Sequence, residues 1–303
     1  MVIKIKSLVV FIILFSFITS AQQEKKEMYP SGVLKKLEHL DNGKLNAECY
    51  YYSQAGILNS MITYDHGVKQ GPAYNYYDNG VLKETYNYSS NKYDGPYTGY
   101  HPLGTKSEEG TYEDGVLQGE FTTYYETGEL KSKVQLVGGR KEGIAYEYHK
   151  NGQVKAEGNY TGDTQDGVFS FYHENGVLRG QWKYEMGKLQ GITKEFDENG
   201  NVFEVSAFTN GKLDGEVISY YPNGNVKSKS KYEKGLRVGE YLTYYEDGTL
   251  WTEQLYKKNH LDGETKIYRK DKSLWYIENY SDGKLISSKE FSMDGKVLSE
   301  KKF

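Results

Sequence analysis

From about residue 29 to residue 300, large apolar positions and polar positions alternate in a register that keeps returning. Tyr52, Tyr76, Tyr100, Tyr124, Tyr148, Tyr172, Phe196, Tyr220, Tyr244 and Tyr268 each stand four residues before a fixed position, which is glycine in all but the last of these repeats. Two residues after that position come Leu34, Leu58, Leu82, Leu130, Val154, Leu178, Val202, Val226, Leu250 and Leu274, with Lys106 as the exception. Eight residues after it comes an aromatic residue, except for Leu40 and Leu136. All three slots are even, and the odd slots between them are mainly Lys, Glu, Thr, Asn and Ser. Alternation with period two predicts short strands with one apolar face.

The anchoring glycine recurs at 24-residue intervals (80 − 56 = 24), from Gly32 to Gly248 without insertion. We number slots from this glycine as zero. A second glycine falls at slot +15, from Gly71 to Gly263. A third falls at slot +11, where Asn91, Asp163 and Asn259 are the exceptions. Asn and Asp are the side chains that best tolerate a left-handed backbone, so slot +11 is expected to need positive φ. The dipeptides Asn79-Gly80, Asn151-Gly152, Asn175-Gly176, Asn223-Gly224 and Asp247-Gly248 are hairpin signals. Each repeat therefore reads as two strands, and stacked repeats bury what one hairpin cannot. The expected fold is all-β: an elongated, single-sheet array of about eleven 24-residue β-hairpin repeats over residues 32–303. At about 4.8 Å per strand such an array is on the order of 100 Å long. Its ends decay: Ala47 and Ser287 replace the second glycine, Lys272 replaces the first, and the last interval is 295 − 272 = 23. Residues 22–31 read as a polar lead-in.

Tyr220-Tyr221-Pro222-Asn223-Gly224-Asn225-Val226-Lys227, followed by Tyr232-Glu233-Lys234-Gly235-Leu236-Arg237-Val238-Gly239, resembles the MORN repeat. It looks most like the bacterial MORN-repeat-variant group, whose members are often labelled YwqK-type antitoxins. The resemblance covers residues 29–300 and implies a binding scaffold, with an antitoxin or immunity role as its sharper form.

Composition narrows the rest. The chain holds 31 Tyr and 34 Gly, with 37% apolar residues, which suits thin sheets better than a thick core. Lys4 and Lys6, the apolar run Ser7–Ile18 and Thr19-Ser20-Ala21 follow the plan of a signal peptide over residues 1–21, so the chain is expected to be exported to periplasm, cell surface or medium. Without that segment the charge is 36 − 42 = −6, which argues against nucleic acid as a partner. The lone Cys49 excludes an intramolecular disulfide. His101, His149 and His173 share slot −3 with tyrosines and, at about 9.5 Å per repeat, stand too far apart to share a zinc ion. No P-loop or nucleophile elbow is present, and neither cofactor, metal nor catalysis is expected.

The candidate binding surface is the polar face. Slot −3 supplies Tyr77, Tyr125, His149, His173, Tyr221 and Tyr245, and slot +3 supplies Trp251 and Trp275 among several lysines. Exposed rings give contact area at low entropy cost, so a protein partner is the first expectation. A glycan or lipid ligand is the alternative, and open sheet edges invite end-to-end self-association.

Overall fold

The structure, a computed structural model, describes residues 22–303, so the expected signal segment lies outside the described residues. Every regular element among them is a strand, 29 in all, and each paired strand is antiparallel to its neighbour. The strands belong to one 29-stranded antiparallel sheet, the single-sheet hairpin array expected, and the described residues cluster into two compact units, 22–94 and 95–303. Within each unit the strands form a meander in chain order, without crossovers. The expected lead-in is itself structured: Gln23–Met28 is a strand paired with Leu34–Asp41, so the first hairpin begins before Gly32.

Each repeat is pinned by two turns of different kinds. The turn at the anchoring glycine has three residues. Tyr221 N–H donates to Asn225 O at 2.8 Å, Gly224 N–H donates to Tyr221 O at 2.9 Å, and Gly224 alone has positive φ, at 85°. This is a type I turn closed by a G1 bulge. The opposite turn has two residues, both left-handed. His66 and Gly67 (φ 47° and 91°) lie between the paired residues Asp65 and Val68, and Lys258 and Asn259 (φ 51° and 72°) lie between Lys257 and His260. These are type I′ turns, whose twist matches that of the flanking strands. Slot +11 is left-handed as expected, at Asn91, Asp163 and Asn259 included. Slot +10 is left-handed too, and there Met186, Lys234 and Lys258 gave no sequence signal.

The second glycine marks a bulge. Ser206 pairs with Val217 and Phe208 with Leu213, so Ala207 alone faces Asp214, Gly215 and Glu216. Gly215 holds φ 125°, and a Cβ there would stand 2.9 Å from the Ala207 Cβ. The last repeat has a smaller bulge. Tyr280 pairs with Leu285 and Asn279 with Ser287, leaving only Ile286 as the extra residue. That accounts both for the 23-residue interval and for Ser287, which is not left-handed.

The core sits on one face, but its centre is not where the large residues are. The slot +8 tyrosines do face it, whereas the slot −4 tyrosines turn to the opposite face, where Tyr124 bonds Glu109 and Tyr172 bonds Glu157. The deepest line runs along slots +6 and +17, which pair directly across the strands: Cys49 with Ile62, Phe169 with Trp182, Thr193 with Ser206. Cys49, Ala73, Thr193, Ser206 and Thr265 are all no more than 3% exposed. Tyrosines of slot +8 lean over this row, as Tyr160 and Tyr184 do against Phe169, with ring centroids 5.4 and 5.1 Å apart. Small residues in the middle let rings from both flanks close over them. Phe169 covers Gly158 so closely that a Cβ on the glycine would lie 2.2 Å from the ring.

Candidate functional site

The residues at slot −3 line the edge of the sheet at the three-residue turns, and successive repeats bond to one another through them. The Tyr125 hydroxyl donates to Tyr148 O at 2.7 Å, Tyr221 to Tyr244 O at 2.8 Å, and Tyr245 to Tyr268 O at 2.9 Å. His149 and His173 make the same bond: Nε2 stands 2.9 Å from Tyr172 O and 2.9 Å from Phe196 O. A carbonyl only accepts, so Nε2 carries the proton in both. Tyr29 in the first unit does likewise to Tyr52 O at 2.8 Å. Arg269 continues the series by donating from Nη2 to Phe291 O at 2.6 Å. Ser53 and Asp197 instead bond within their own turns. These side chains therefore join repeat to repeat while presenting the flank of each ring outward. Six of the eight predicted site residues, Tyr77, Tyr125, His149, His173, Tyr221 and Tyr245, stand at this slot, and Trp251 and Trp275 stand at slot +3.

Slot +3 packs onto these rings. Lys83 Nζ stands 5.9 Å from the Tyr77 ring centroid, Lys131 5.9 Å from Tyr125, and Lys227 5.8 Å from Tyr221. In the later repeats a ring replaces the cation: Trp251 lies 5.6 Å from Tyr245. In the next repeat the roles reverse, with the Arg269 guanidinium 5.1 Å from Trp275. The rim thus brings Tyr221, Tyr245, Trp251 and Trp275 into one run of successive repeats in the second unit. Trp251 is 44% exposed and Trp275 38%, whereas the tyrosines are half-buried. Burial raises the Tyr245 phenol above its ordinary pKa.

The opposite edge is zipped in parallel, by residues that the sequence reading did not single out. The slot +10 N–H donates to a side chain at slot +14 of the preceding repeat. Ser90 N–H reaches Gln70 Oε1 at 2.9 Å, Gly138 N–H reaches Gln118 Oε1 at 2.7 Å, and Asn210 N–H reaches Gln190 Oε1 at 2.9 Å. The signal was present as a column of Asn, Gln, Asp and Glu at slot +14. Asn91, Asp163 and Asn259 go further. Their Oδ1 atoms accept from the N–H groups of Lys69, Lys141 and Arg237 in the preceding repeat, at 2.9, 2.8 and 2.6 Å.

Tyrosines and glutamates also pair around the faces. Tyr124 donates to Glu109, and with burial as the larger cause its phenol is pushed up to about 12. Tyr172 donates to Glu157 at 2.8 Å. Glu195 and Glu204 lie directly opposite one another, and burial with the facing carboxylate raises the Glu195 pKa. On the core face, Ala145 opposite Gly158 leaves a depression of about 290 Å³ between Phe121 and Phe171. Among the described residues no group of three or more His, Cys, Asp or Glu is placed to hold a metal ion.

Comparison with known proteins matches this architecture to one repeat family. None of the curated proteins matches the chain. Among solved structures, similarity is found to "Crystal Structure of TcdB2-TccC3" at 12% identity and TM-score 0.20, and to "Crystal Structure of TcdB2-TccC3-Cdc42" at 13% identity and TM-score 0.18. Each alignment covers 93% of this chain and 18% of the other, so the chain spans less than a fifth of the length of those chains. The MORN repeat variant matches at residues 69–90, 117–137, 141–161, 165–186, 189–212, 213–234 and 237–258. With hairpins, turns and glycines in that register over half of its length, the chain belongs to the MORN repeat variant family.

Proposed function

We propose that this protein is a non-catalytic scaffold that engages a protein partner through its aromatic rim. The observation that carries the reading is the exposure of Trp251 and Trp275 in successive repeats, each packed against a rim residue, Tyr245 and Arg269, that is itself bonded to the next repeat. Such rings are held in place before a partner arrives, so little side-chain entropy is lost on contact. An indole contributes up to about 150–250 Å² of contact, which suits an anchor at the centre of an interface. We read the chain as exported, on the signal-peptide pattern of residues 1–21. An antitoxin or immunity role is the narrower form of the same reading.

The test is affinity capture from the native envelope and medium with residues 22–303 as bait. The control is the Trp251→Ala/Trp275→Ala double variant, which leaves the Tyr245 and Arg269 bonds in place. A protein held by the native bait and lost from the control supports the scaffold, and toxicity of that protein expressed alone supports the antitoxin form. Retention of the same protein by both baits removes the rim from the interface. Binding of protein-free liposomes or cell-wall fragments would favour a lipid or glycan module instead.

A further inference from the structure

We infer that the groove between Tyr244 and Tyr268, on the second unit, is a binding site for an acidic sugar ring, with Lys272 as its carboxylate anchor. Slot zero is glycine from Gly32 to Gly248 and again at Gly295, and Lys272 is the departure. Lys272 holds φ 70°, a conformation that costs an L-residue free energy and that the other repeats assign to glycine. The turn demands the positive φ but not the lysine, since Gly248 makes the same turn one repeat earlier at φ 86°. What the lysine adds is a cationic side chain among the residues that line a groove of about 590 Å³, with Tyr244, Asp247, Leu250 and Tyr268. Among the described residues that ammonium has no ion-pair partner.

An internal comparison isolates its contribution. The equivalent groove four repeats earlier, about 460 Å³, is lined by Val154, Tyr172 and Gly176, with glycine where Lys272 stands. The later groove therefore has the aromatic and aliphatic walls of the ordinary repeat plus a cation.

The remaining groups fit one ligand chemistry. Tyr244 and Tyr268 fill the same slot two strands apart, about 9.6 Å. A ring in van der Waals contact with both walls needs roughly 7–8 Å. Asp247 uses Oδ1 to accept from Thr249 N–H at 2.9 Å and from Thr249 Oγ1 at 2.6 Å, which leaves Oδ2 to accept from a ligand hydroxyl. Thr249 bonding holds the Asp247 carboxyl below its ordinary pKa, so it stays an acceptor at neutral pH. A flat apolar face between two phenols, a hydroxyl toward a carboxylate and a carboxylate toward an ammonium describe a hexuronate residue. The groove adjoins the rim, since the Tyr245 hydroxyl bonds Tyr268 O, but it takes its ligand without a protein partner.

The test is calorimetric titration of residues 22–303 with trigalacturonate and with the neutral galactotriose, on wild type, Lys272→Gln and Lys272→Gly. The expected result is binding of the acidic trisaccharide only, weakened at least tenfold in both variants. Thermal melting separates charge from strain: Lys272→Gln should melt as wild type does, and Lys272→Gly should melt about 1–2 °C higher. Equal binding of the neutral sugar, unchanged affinity in Lys272→Gly, or no binding by wild type at millimolar ligand would each overturn the assignment. A lower melting temperature for Lys272→Gly would overturn the strain argument.

Discussion

The Tyr245 hydroxyl donates to the carbonyl oxygen of Tyr268, 2.9 Å away and 23 residues further along the chain. One side chain thereby fixes the spacing of two repeats at their turns, where the strands of adjacent hairpins have already ended. In a repeat array stability is close to a sum of unit and neighbour terms, so each such bond strengthens one interface.

Tyr245→Phe should therefore cost about 1 kcal/mol, the net worth of one hydrogen bond, because the ring stays and only the donor goes. Tyr125→Phe and Tyr221→Phe should each cost about the same, since the bonds they remove are equivalent. Changes this far apart should add. Thermal or urea melts of the single and triple variants check this, and a triple variant as stable as wild type would show that the rim bonds contribute nothing net.

The two turn types yield a prediction of opposite sign. Met186 is 85% exposed and is held at φ 48° in a type I′ turn beside Gly187, with no packing to offset the strain. Met186→Asn places there a residue that tolerates the left-handed region and so matches the turn's preferred Asn-Gly. We expect a gain of roughly 0.5–1 kcal/mol. Asn223→Ala, in the other turn, should instead destabilise. It removes the Oδ1 acceptor of Asn225 N–H at 2.9 Å and the Nδ2 donor to Glu246 O at 2.9 Å in the next repeat. Paired melts of the two variants read the two signs directly.

Those turns also mark how far the sequence could be read. The repeat, its strands, the inward slot +8 and the left-handed slot +11 were all legible, because a side chain or a glycine reports each of them; slot −4, expected on the same face, turns to the other one. The kinds of turn were not. Asn223-Gly224 suits a type I′ turn and a type I turn with a bulge equally well, and the choice depends on which residues close the loop. The rim bonds of Tyr221 and His149 were hidden for a different reason: their acceptors are main-chain carbonyls, which every residue carries. Tyr221 therefore looked like a free ring, when its hydroxyl is committed and only its flank faces out. The centre of the core was hidden too, since Thr193 and Ser206 are small polar residues that a pattern of large apolar slots leaves unmarked.

The facing carboxylates Glu195 and Glu204 make stability depend on pH. The Glu195 pKa is raised by burial and by Glu204, and Arg179 offsets part of that. A carboxyl whose folded pKa lies above its unfolded value favours the fold below the unfolded value, and that contribution is lost as pH rises through the folded value. Glu195→Gln, which cannot ionise, should therefore be more stable than wild type at neutral pH. The difference should shrink as pH falls and vanish below the ordinary carboxylate range. Denaturant midpoints from pH 3 to pH 8 check this, and a constant offset across the range would assign the effect to packing.

Thr265 offers a direct measure of what a buried polar group costs in so thin a core. Its side chain is 2% exposed, and its Oγ1 has no hydrogen-bond partner among the described residues. Thr193 occupies the equivalent slot three repeats earlier, equally buried, and its hydroxyl donates to Ser206 O at 3.4 Å. An unpaired buried hydroxyl carries a desolvation penalty of about 1–3 kcal/mol, whereas a paired one recovers most of it. Thr265→Val keeps the shape and β-branching of the side chain and removes only the hydroxyl, so it should stabilise the protein by about 1 kcal/mol or more. Thr193→Val should be neutral or destabilising, because there a hydrogen bond is lost with the group. Equal effects of the two substitutions in denaturant melts would mean that water reaches and satisfies Thr265, and that the row at the centre of the sheet is wetter than its side-chain burial implies.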